Sequence, residues 1–225
     1  MRMDHINIAK CYGWSYDRAG IIYGVFEEGG IAMDMLITSK PSRKYDDFFM
    51  PFLFQVAHAL NYLHHKIGIV HGDIKLGNIV VNLHTSVFKL IDFGIAHKIN
   101  QPRNNICGTT GYIAPEFREA PNICTEKTDI WSLGKVCIKY WGDIPLTPDE
   151  FNNFTKERYD WIFSVRKRKY PNIFNIIEQM LEYEADNRIS SRSLVRYVNE
   201  LAGLYPHIMD DMIQLYKAKG IYDPF

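Results

Sequence analysis

Between Asp46 and His65 the apolar residues Phe49, Phe52, Leu53, Val56, Ala59, Leu60 and Leu63 recur at steps of three and four. That period lays them on one face of a helix. Asp46 or Asp47 is placed to cap its start, and Pro51 is tolerable only near the first turn. Upstream, residues 5–37 read as short extended pieces. Ile21-Ile22-Tyr23-Gly24-Val25-Phe26 is a strand halted by the turn-forming Glu27-Glu28-Gly29-Gly30. Downstream, Ile79-Val80-Val81 and Val87-Phe88-Lys89-Leu90-Ile91 flank Leu83-His84-Thr85-Ser86. This pattern predicts a hairpin, which would bring Asn78 and Asp92 to the same end of one ribbon.

The second half reads as helical. Thr128 is placed to cap a helix over Asp129–Tyr140 that is apolar on most faces and so predicted to be buried. Thr147-Pro148-Asp149-Glu150 is a capping box with Pro at the first helical position, opening a helix with Phe151, Phe154, Trp161 and Ile162. Asn172 starts another with Ile173, Ile176, Ile177, Met180 and Leu181 as its stripe. Ser190 or Ser191 starts a third, with Leu194, Val195, Val198 and Leu201 inward.

Length and composition narrow the classes. At 225 residues, 47% of them apolar, the chain can build one domain with a large core. Its 26 basic and 26 acidic residues cancel, which argues against wholesale nucleic-acid binding. No apolar run reaches the length of a membrane span, and the N-terminus lacks a secretory apolar core. The four cysteines are scattered with no C-x-x-C pair, as expected of reduced thiols inside a cell.

The chemistry concentrates in His71-Gly72-Asp73-Ile74-Lys75-Leu76-Gly77-Asn78 and, fourteen residues after Asn78, in Asp92-Phe93-Gly94. Two carboxylates, an amide and an ammonium suit the task of holding a metal-bound polyphosphate beside a hydroxyl. Carboxylate and amide oxygens bind hard divalent cations. A further acid orients the hydroxyl, and a Lys neutralises charge on the moving phosphoryl group.

Several motifs, in order, then resemble the large lobe of a eukaryotic-type protein kinase, over roughly residues 5–200. His71–Asn78 resembles its catalytic loop, and Asp92-Phe93-Gly94 its metal-binding D-F-G. Gly108-Thr109-Thr110-Gly111-Tyr112-Ile113-Ala114-Pro115-Glu116 resembles the substrate-docking segment. Asp129-Ile130-Trp131-Ser132-Leu133-Gly134 resembles the start of the central helix, and Ala185-Asp186-Asn187-Arg188 the late Arg that pairs with Glu116. The implied fold class is α+β: a mostly helical large lobe with a partial β small-lobe remnant. The implied organisation is one partial kinase domain over 1–225, with 1–28 as remnant and hinge and 29–225 as large lobe.

The resemblance also implies roles. Asp73 would orient the substrate hydroxyl, with Lys75 bridging it to the γ-phosphate and Thr109 bonding that pair, both of the Ser/Thr-kinase type. Asn78 and Asp92 would hold Mg2+. Glu27 and Glu28 would meet ATP's adenine through their backbone, beside a gatekeeper Phe26, with Val80 under the ring. Asp129 would brace the catalytic loop from below.

Two departures modify this. Gly72 stands where the family usually has an Arg that receives an activation-loop phosphate, and Asn105 stands at the usual phosphorylated position. Losing both predicts a loop that needs no phosphate there. At the front, His5-Ile6-Asn7-Ile8 resembles the fourth small-lobe strand, and the sequence contains no G-x-G-x-x-G, β3 lysine or αC glutamate ahead of it. Losing one such electrostatic donor commonly costs ~10²-fold or more.

Two functions are therefore expected to compete. One is a Ser/Thr protein kinase using ATP and Mg2+ on a protein substrate, completed by a partner. The other is a kinase-like decoy that binds another kinase or its substrate. Small-molecule phosphotransferases share H-G-D-x-x-x-x-N, but Gly108–Glu116 and Asp129–Gly134 argue against that class. The expected location is intracellular and cytoplasmic, with Arg166-Lys167-Arg168-Lys169 the one basic run that could serve nuclear import. No nucleic-acid or membrane partner is expected.

Overall fold

The computed structural model describes residues 3–39, 46–102, 108–116, 124–140, 147–152 and 171–222. Strands β1 (Cys11–Tyr16), β2 (Ile22–Phe26) and β3 (Ile31–Ala32) lead into helices α1 (Met33–Ser39) and α2 (Asp46–Asn61). Strands β4 (Ile69–Val70), β5 (Ile79–Asn82), β6 (Val87–Leu90) and β7 (His97–Lys98) follow. Helices α3 (Glu126–Tyr140), α4 (Pro148–Asn152), α5 (Pro171–Met180), α6 (Ser191–Ala202) and α7 (Pro206–Ala218) complete the described elements. No helix among the described residues is long and apolar enough to cross a membrane.

Helix α2 is the centre of the core because its whole circumference is covered: every residue from Phe49 to Leu60 is buried. Helix α6 packs on it, and α3 and α5 join the same core, through Leu194 and Val198, Ile130, Leu133 and Val136, and Ile173, Ile176 and Ile177. Phe52 stacks on Tyr140 at 5.3 Å and meets Phe88 edge-on at 5.6 Å. Gly134 sits where α3 meets α5, since a Cβ there would lie 2.7 Å from Leu181.

Total burial of α2 requires partners for its polar residues. Gln55 Oε1 accepts from Asn7 Nδ2 (2.7 Å) and from the Phe88 N–H (2.9 Å), and its Nε2 donates to the Ser86 carbonyl (2.9 Å). Asn7 also donates to the Phe88 carbonyl at 2.7 Å and accepts from the Tyr216 hydroxyl. One buried network thus ties the N-terminal segment, α2, β6 and α7 together.

The hairpin reading of residues 79–91 holds. β5 and β6 pair antiparallel from Ile79↔Leu90 to Asn82↔Val87, with β3 on the other edge of β5. The Ile91 N–H donates to the Asn78 carbonyl (3.0 Å), so the chain is still clamped as it reaches the site.

Five expectations change. Residues 33–39 are helical, not extended: Met33, Leu36 and Ile37 face the core at helical spacing, but seven residues are too few to register a period. Residues 5–8 are a turn with one parallel bridge, Ile8 to Leu90, and the first strand of the described residues is β1, from Cys11. The Asn7 network holds this turn beside β6. Thr128 does not cap α3, which starts at Glu126; its hydroxyl donates to the Thr125 carbonyl instead. The α2 helix ends at Asn61 and continues as a wider π-type segment, Tyr62–Ile67, closed by Gly68 at φ 78°. Helix α7 lies beyond the elements read from the sequence, and it buries Met209 and Tyr216. Phe154, Trp161, Ile162, Asn105 and Arg166–Lys169 lie outside the described residues.

The β1–β2 ribbon is the exception to burial. Tyr12, Trp14, Tyr16, Ile22, Tyr23, Val25 and Phe26 are each more than half exposed. It is fastened at its base, where Glu27 Oε1 accepts from Lys89 Nζ (2.8 Å) and from the Lys10 N–H (2.7 Å).

Burial also makes stability depend on pH. Desolvation pushes His5 down to about 3, helped by His58 and nearby lysines, and pushes His58 down to about 4 against a hydrogen bond to Asn199. Both are neutral in the fold but protonate near pH ~6.5 once unfolded. The unfolded chain therefore binds more protons below ~6.5, and stability falls as pH drops from there toward 3–4. On the order of 2 kcal/mol per histidine is expected to be lost between pH ~7.5 and ~5. Urea midpoints at those two pH values check this; equal midpoints would contradict the burial of two neutral rings.

Candidate active site

Strand β4 delivers the chain to His71, and a buried carboxylate fixes the turn that follows. Asp129, 1% exposed, accepts the His71 N–H on Oδ2 (2.8 Å) and the Gly72 N–H on Oδ1 (2.9 Å). Its Oδ2 also meets His64 Nε2 at 2.9 Å. Burial pushes the Asp129 carboxyl up, but the bonds from His64 and the Gly72 N–H outweigh it and hold the group below its ordinary value. His64 carries no signal of this role in the sequence, because its partner is 65 residues away.

Gly72 turns the loop at φ +80°, a conformation that suits glycine. The His71 ring then ties the two chemical motifs together. Its Nδ1 accepts the Asp73 N–H (3.2 Å), which assigns the proton to Nε2, and Nε2 donates to the Ile91 carbonyl (3.0 Å). Phe93 packs on the same ring at 4.8 Å.

Four expected side chains form one hydrogen-bonded cluster. Lys75 Nζ lies 2.7 Å from Asp73 Oδ2 and 2.9 Å from Thr109 Oγ1. The Thr109 hydroxyl donates to Asp73 Oδ1 at 2.7 Å. Asn78 Nδ2 donates to Asp73 Oδ2 and to its carbonyl, both at 2.9 Å. Thr109 can reach because Gly108 precedes it at φ +115°: a Cβ at 108 would stand 2.9 Å from the Gly72 carbonyl. Partial burial pushes the Asp73 carboxyl up, but the bonds from Lys75, Thr109 and Asn78 prevail and hold it below the usual carboxylate range. Asp73 is thus an ionised acceptor at neutral pH, with its two oxygens shared among three donors.

Asp92 stands at the clamped end of the β5–β6 hairpin, one residue past Ile91, whose N–H bonds the Asn78 carbonyl. Its φ of +61° is uncommon outside glycine and is tolerated by Asp. Its exposed carboxylate accepts the Gly94 N–H on Oδ1 at 3.1 Å. With Asn78 Nδ2 committed to Asp73, Oδ1 is the amide atom that could meet a cation. These hard oxygens fit Mg2+, which uses one or two carboxylates and completes its shell with phosphate and water. Among the described residues, no group of three or more His, Cys, Asp or Glu side chains could hold a metal alone.

The remaining expected residues lie apart from this cluster. Glu27 and Glu28 follow β2, and the Glu27 N–H donates to the Lys10 carbonyl (2.9 Å). Val80 lies under this turn: a Cβ on Gly29 would be 2.4 Å from Val80 Cγ2. Phe26, the expected gatekeeper, is 53% exposed.

Below the site, Arg188 secures the docking segment. Its guanidinium donates twice to Glu116 (2.7 and 2.9 Å) and once each to the carbonyls of Glu182, Lys127 and Tyr183. That uses all five of its N–H donors. Trp131 lies 5.0 Å from the guanidinium carbon.

A family model described as "Protein kinase domain" matches residues 1–198. The chain is similar to an Aurora kinase of Schizosaccharomyces pombe, 30% identical over 196 residues covering 86% of this chain and 54% of that protein. It is 29% identical to a mitogen-activated protein kinase of Trichoderma harzianum over 220 residues, 90% of this chain and 54% of that one. A mitogen-activated protein kinase kinase of Arabidopsis thaliana is 27% identical over 205 residues, 84% and 56% of the two chains. The chain spans about half the length of these relatives.

Proposed function

The chain belongs to the protein kinase domain family, and from that premise we propose that it transfers the γ-phosphate of ATP to serine or threonine hydroxyls of a protein substrate. The observation that carries this reading is the closed triangle of Asp73, Lys75 and Thr109, with every side 2.9 Å or less. An ionised carboxylate so held can accept and orient a hydroxyl proton but cannot wander. Lys75 supplies positive charge where a phosphoryl group would pass. Mg2+, held by Asn78 and Asp92, would supply charge neutralisation on the phosphates. Backbone groups of Glu27 and Glu28, with Val80 beneath, would hold the adenine.

In this reading residues 1–28 are the small-lobe remnant and hinge, and 29–225 the large lobe. A partner that adds strands to the β1–β2 ribbon would complete the nucleotide cleft. ATP with Mg2+ is expected to raise the melting temperature of the protein, and Asp92→Ala to abolish the part of that rise that depends on Mg2+. Phosphoamino-acid analysis of a labelled substrate is expected to give phosphoserine or phosphothreonine. No Mg2+-dependent stabilisation, or phosphotyrosine alone, would contradict the proposal.

One observation favours a second reading. The apolar ribbon is exposed on both faces, as a docking surface for another protein would be. In that reading the chain is a kinase-like binding protein acting on another kinase or its substrate. It predicts equal phosphate transfer by the unaltered protein and by Asp73→Asn.

A further inference from the structure

The β1–β2 ribbon forms a two-stranded sheet by itself, and its register places Trp14 opposite Gly24 and Tyr16 opposite Ile22. Residues directly opposite share a face, so Trp14, Tyr16 and Ile22 lie on one side. The Trp14 and Tyr16 rings meet there at 6.4 Å. Strand alternation adds Tyr12 and Phe26 to this face. The Phe26 ring lies over Gly24, 2.5 Å from the point where a Cβ would stand. The opposite face is smaller and more polar, with Gly13, Ser15, Tyr23 and Val25. Tyr23 and Val25 are also more than half exposed, so the ribbon projects clear of the fold on both sides and a second molecule can reach it.

An isolated two-stranded ribbon is marginal in water, and this one gains stability from whatever covers its aromatic face. Neither strand contains a charged residue, so the face does not select a partner by charge. The 26 basic and 26 acidic residues of the chain cancel, so two copies do not repel. An aromatic side chain buries roughly 150–250 Å² in full, so the five large apolar side chains of this face, each more than half exposed, present roughly 600 Å². Two such faces together bury about 1,200 Å², which clears the ~1,000 Å² that a specific interface requires. A patch that covers its own copy around a two-fold axis closes the assembly at two chains.

We propose that the chain self-associates as a two-fold dimer in which the Tyr12, Trp14, Tyr16, Ile22 and Phe26 face of one ribbon stacks on the same face of a second copy. The pairing stands whether or not the chain transfers phosphate. Stacking through the face leaves the edges of β1 and β2 open, so it is compatible with strand addition there.

The test is sedimentation velocity of the whole protein over a concentration series in the micromolar range. The expected result is a reversible equilibrium between one chain and two, with no larger species. Trp14→Ala is expected to weaken the association at least about tenfold, as the loss of a central aromatic anchor does. Ile22→Thr, which keeps a β-branched residue in the strand, is expected to weaken it as well. Ser15→Glu, on the opposite face, is expected to leave it unchanged. Circular dichroism confirms that each variant keeps the fold. A monomer throughout the series overturns the inference, including a monomer that binds phospholipid vesicles or a foreign protein through this face. So does open-ended growth beyond two chains. A dimer that survives both Trp14→Ala and Ile22→Thr, or that Ser15→Glu dissolves equally, overturns it too.

Discussion

Arg188→Ala is expected to lower the stability of the protein by about 3–5 kcal/mol, the range for leaving one partner of a buried ion pair uncompensated. For a domain of this size that corresponds to a fall in Tm of roughly 6–20 °C. The reason is the completeness of the site. Arg188 is 1% exposed, and its five donors serve Glu116 and three carbonyls. Removing it strands the carbonyls of Glu182, Lys127 and Tyr183 near the core and frees the docking segment from α3. Arg188→Lys should recover little, because an ammonium cannot reproduce a planar fork. Glu116→Gln should cost less, since the Glu116 side chain is 27% exposed and water can serve the arginine. Thermal and urea melts of the three variants check the order. A loss below about 1 kcal/mol for Arg188→Ala would mean that the network contributes no more than an exposed pair.

Asp73→Asn is expected to reduce phosphoryl transfer by about 10²–10⁴-fold, the usual span for a positioned acid–base group. The substitution conserves shape. The new Oδ1 can accept from Lys75 and Asn78, and the new Nδ2 can donate to Thr109 with its hydroxyl turned. The fold should therefore survive, with a small change in Tm. What disappears is the negative charge. The Asp73 carboxyl is held below its ordinary value, so in the unaltered protein it stays ionised as pH falls. Its contribution is present above the usual carboxylate range and is lost only well below it. Lys75→Ala should give a comparable loss through a different cause, by removing the cation that spans Asp73 and Thr109.

Most of the candidate cluster was legible in the sequence because its members sit close together in the chain. Asp73, Lys75 and Asn78 share one loop, and the β5–β6 pattern announces that Asp92 returns to the same end. The stripes of α5 and α6 were legible because one-sided burial imposes a period, whereas α2, read as a one-faced helix, is buried all round. What was not legible has equally physical reasons. Helix α1 has seven residues and only three core contacts, too short to display a period. His64 and the Asn7–Gln55–Tyr216 network join residues tens to hundreds of positions apart, which local patterns cannot report. The turn at 5–8 is placed as a strand by resemblance to the fourth small-lobe strand, whereas the bonds of the buried Asn7 amide hold it as a turn beside β6.

The central claim is that the carboxylate of Asp73, held by Lys75, Thr109 and Asn78, serves the transfer of a terminal phosphate. Its most direct test is the rate of γ-phosphate transfer from ATP with Mg2+ to a serine-containing protein substrate, for the unaltered protein and for Asp73→Asn side by side. The account predicts transfer by the first and a loss of at least about 10²-fold in the second. Equal rates in the two, at equal melting temperatures, would contradict it.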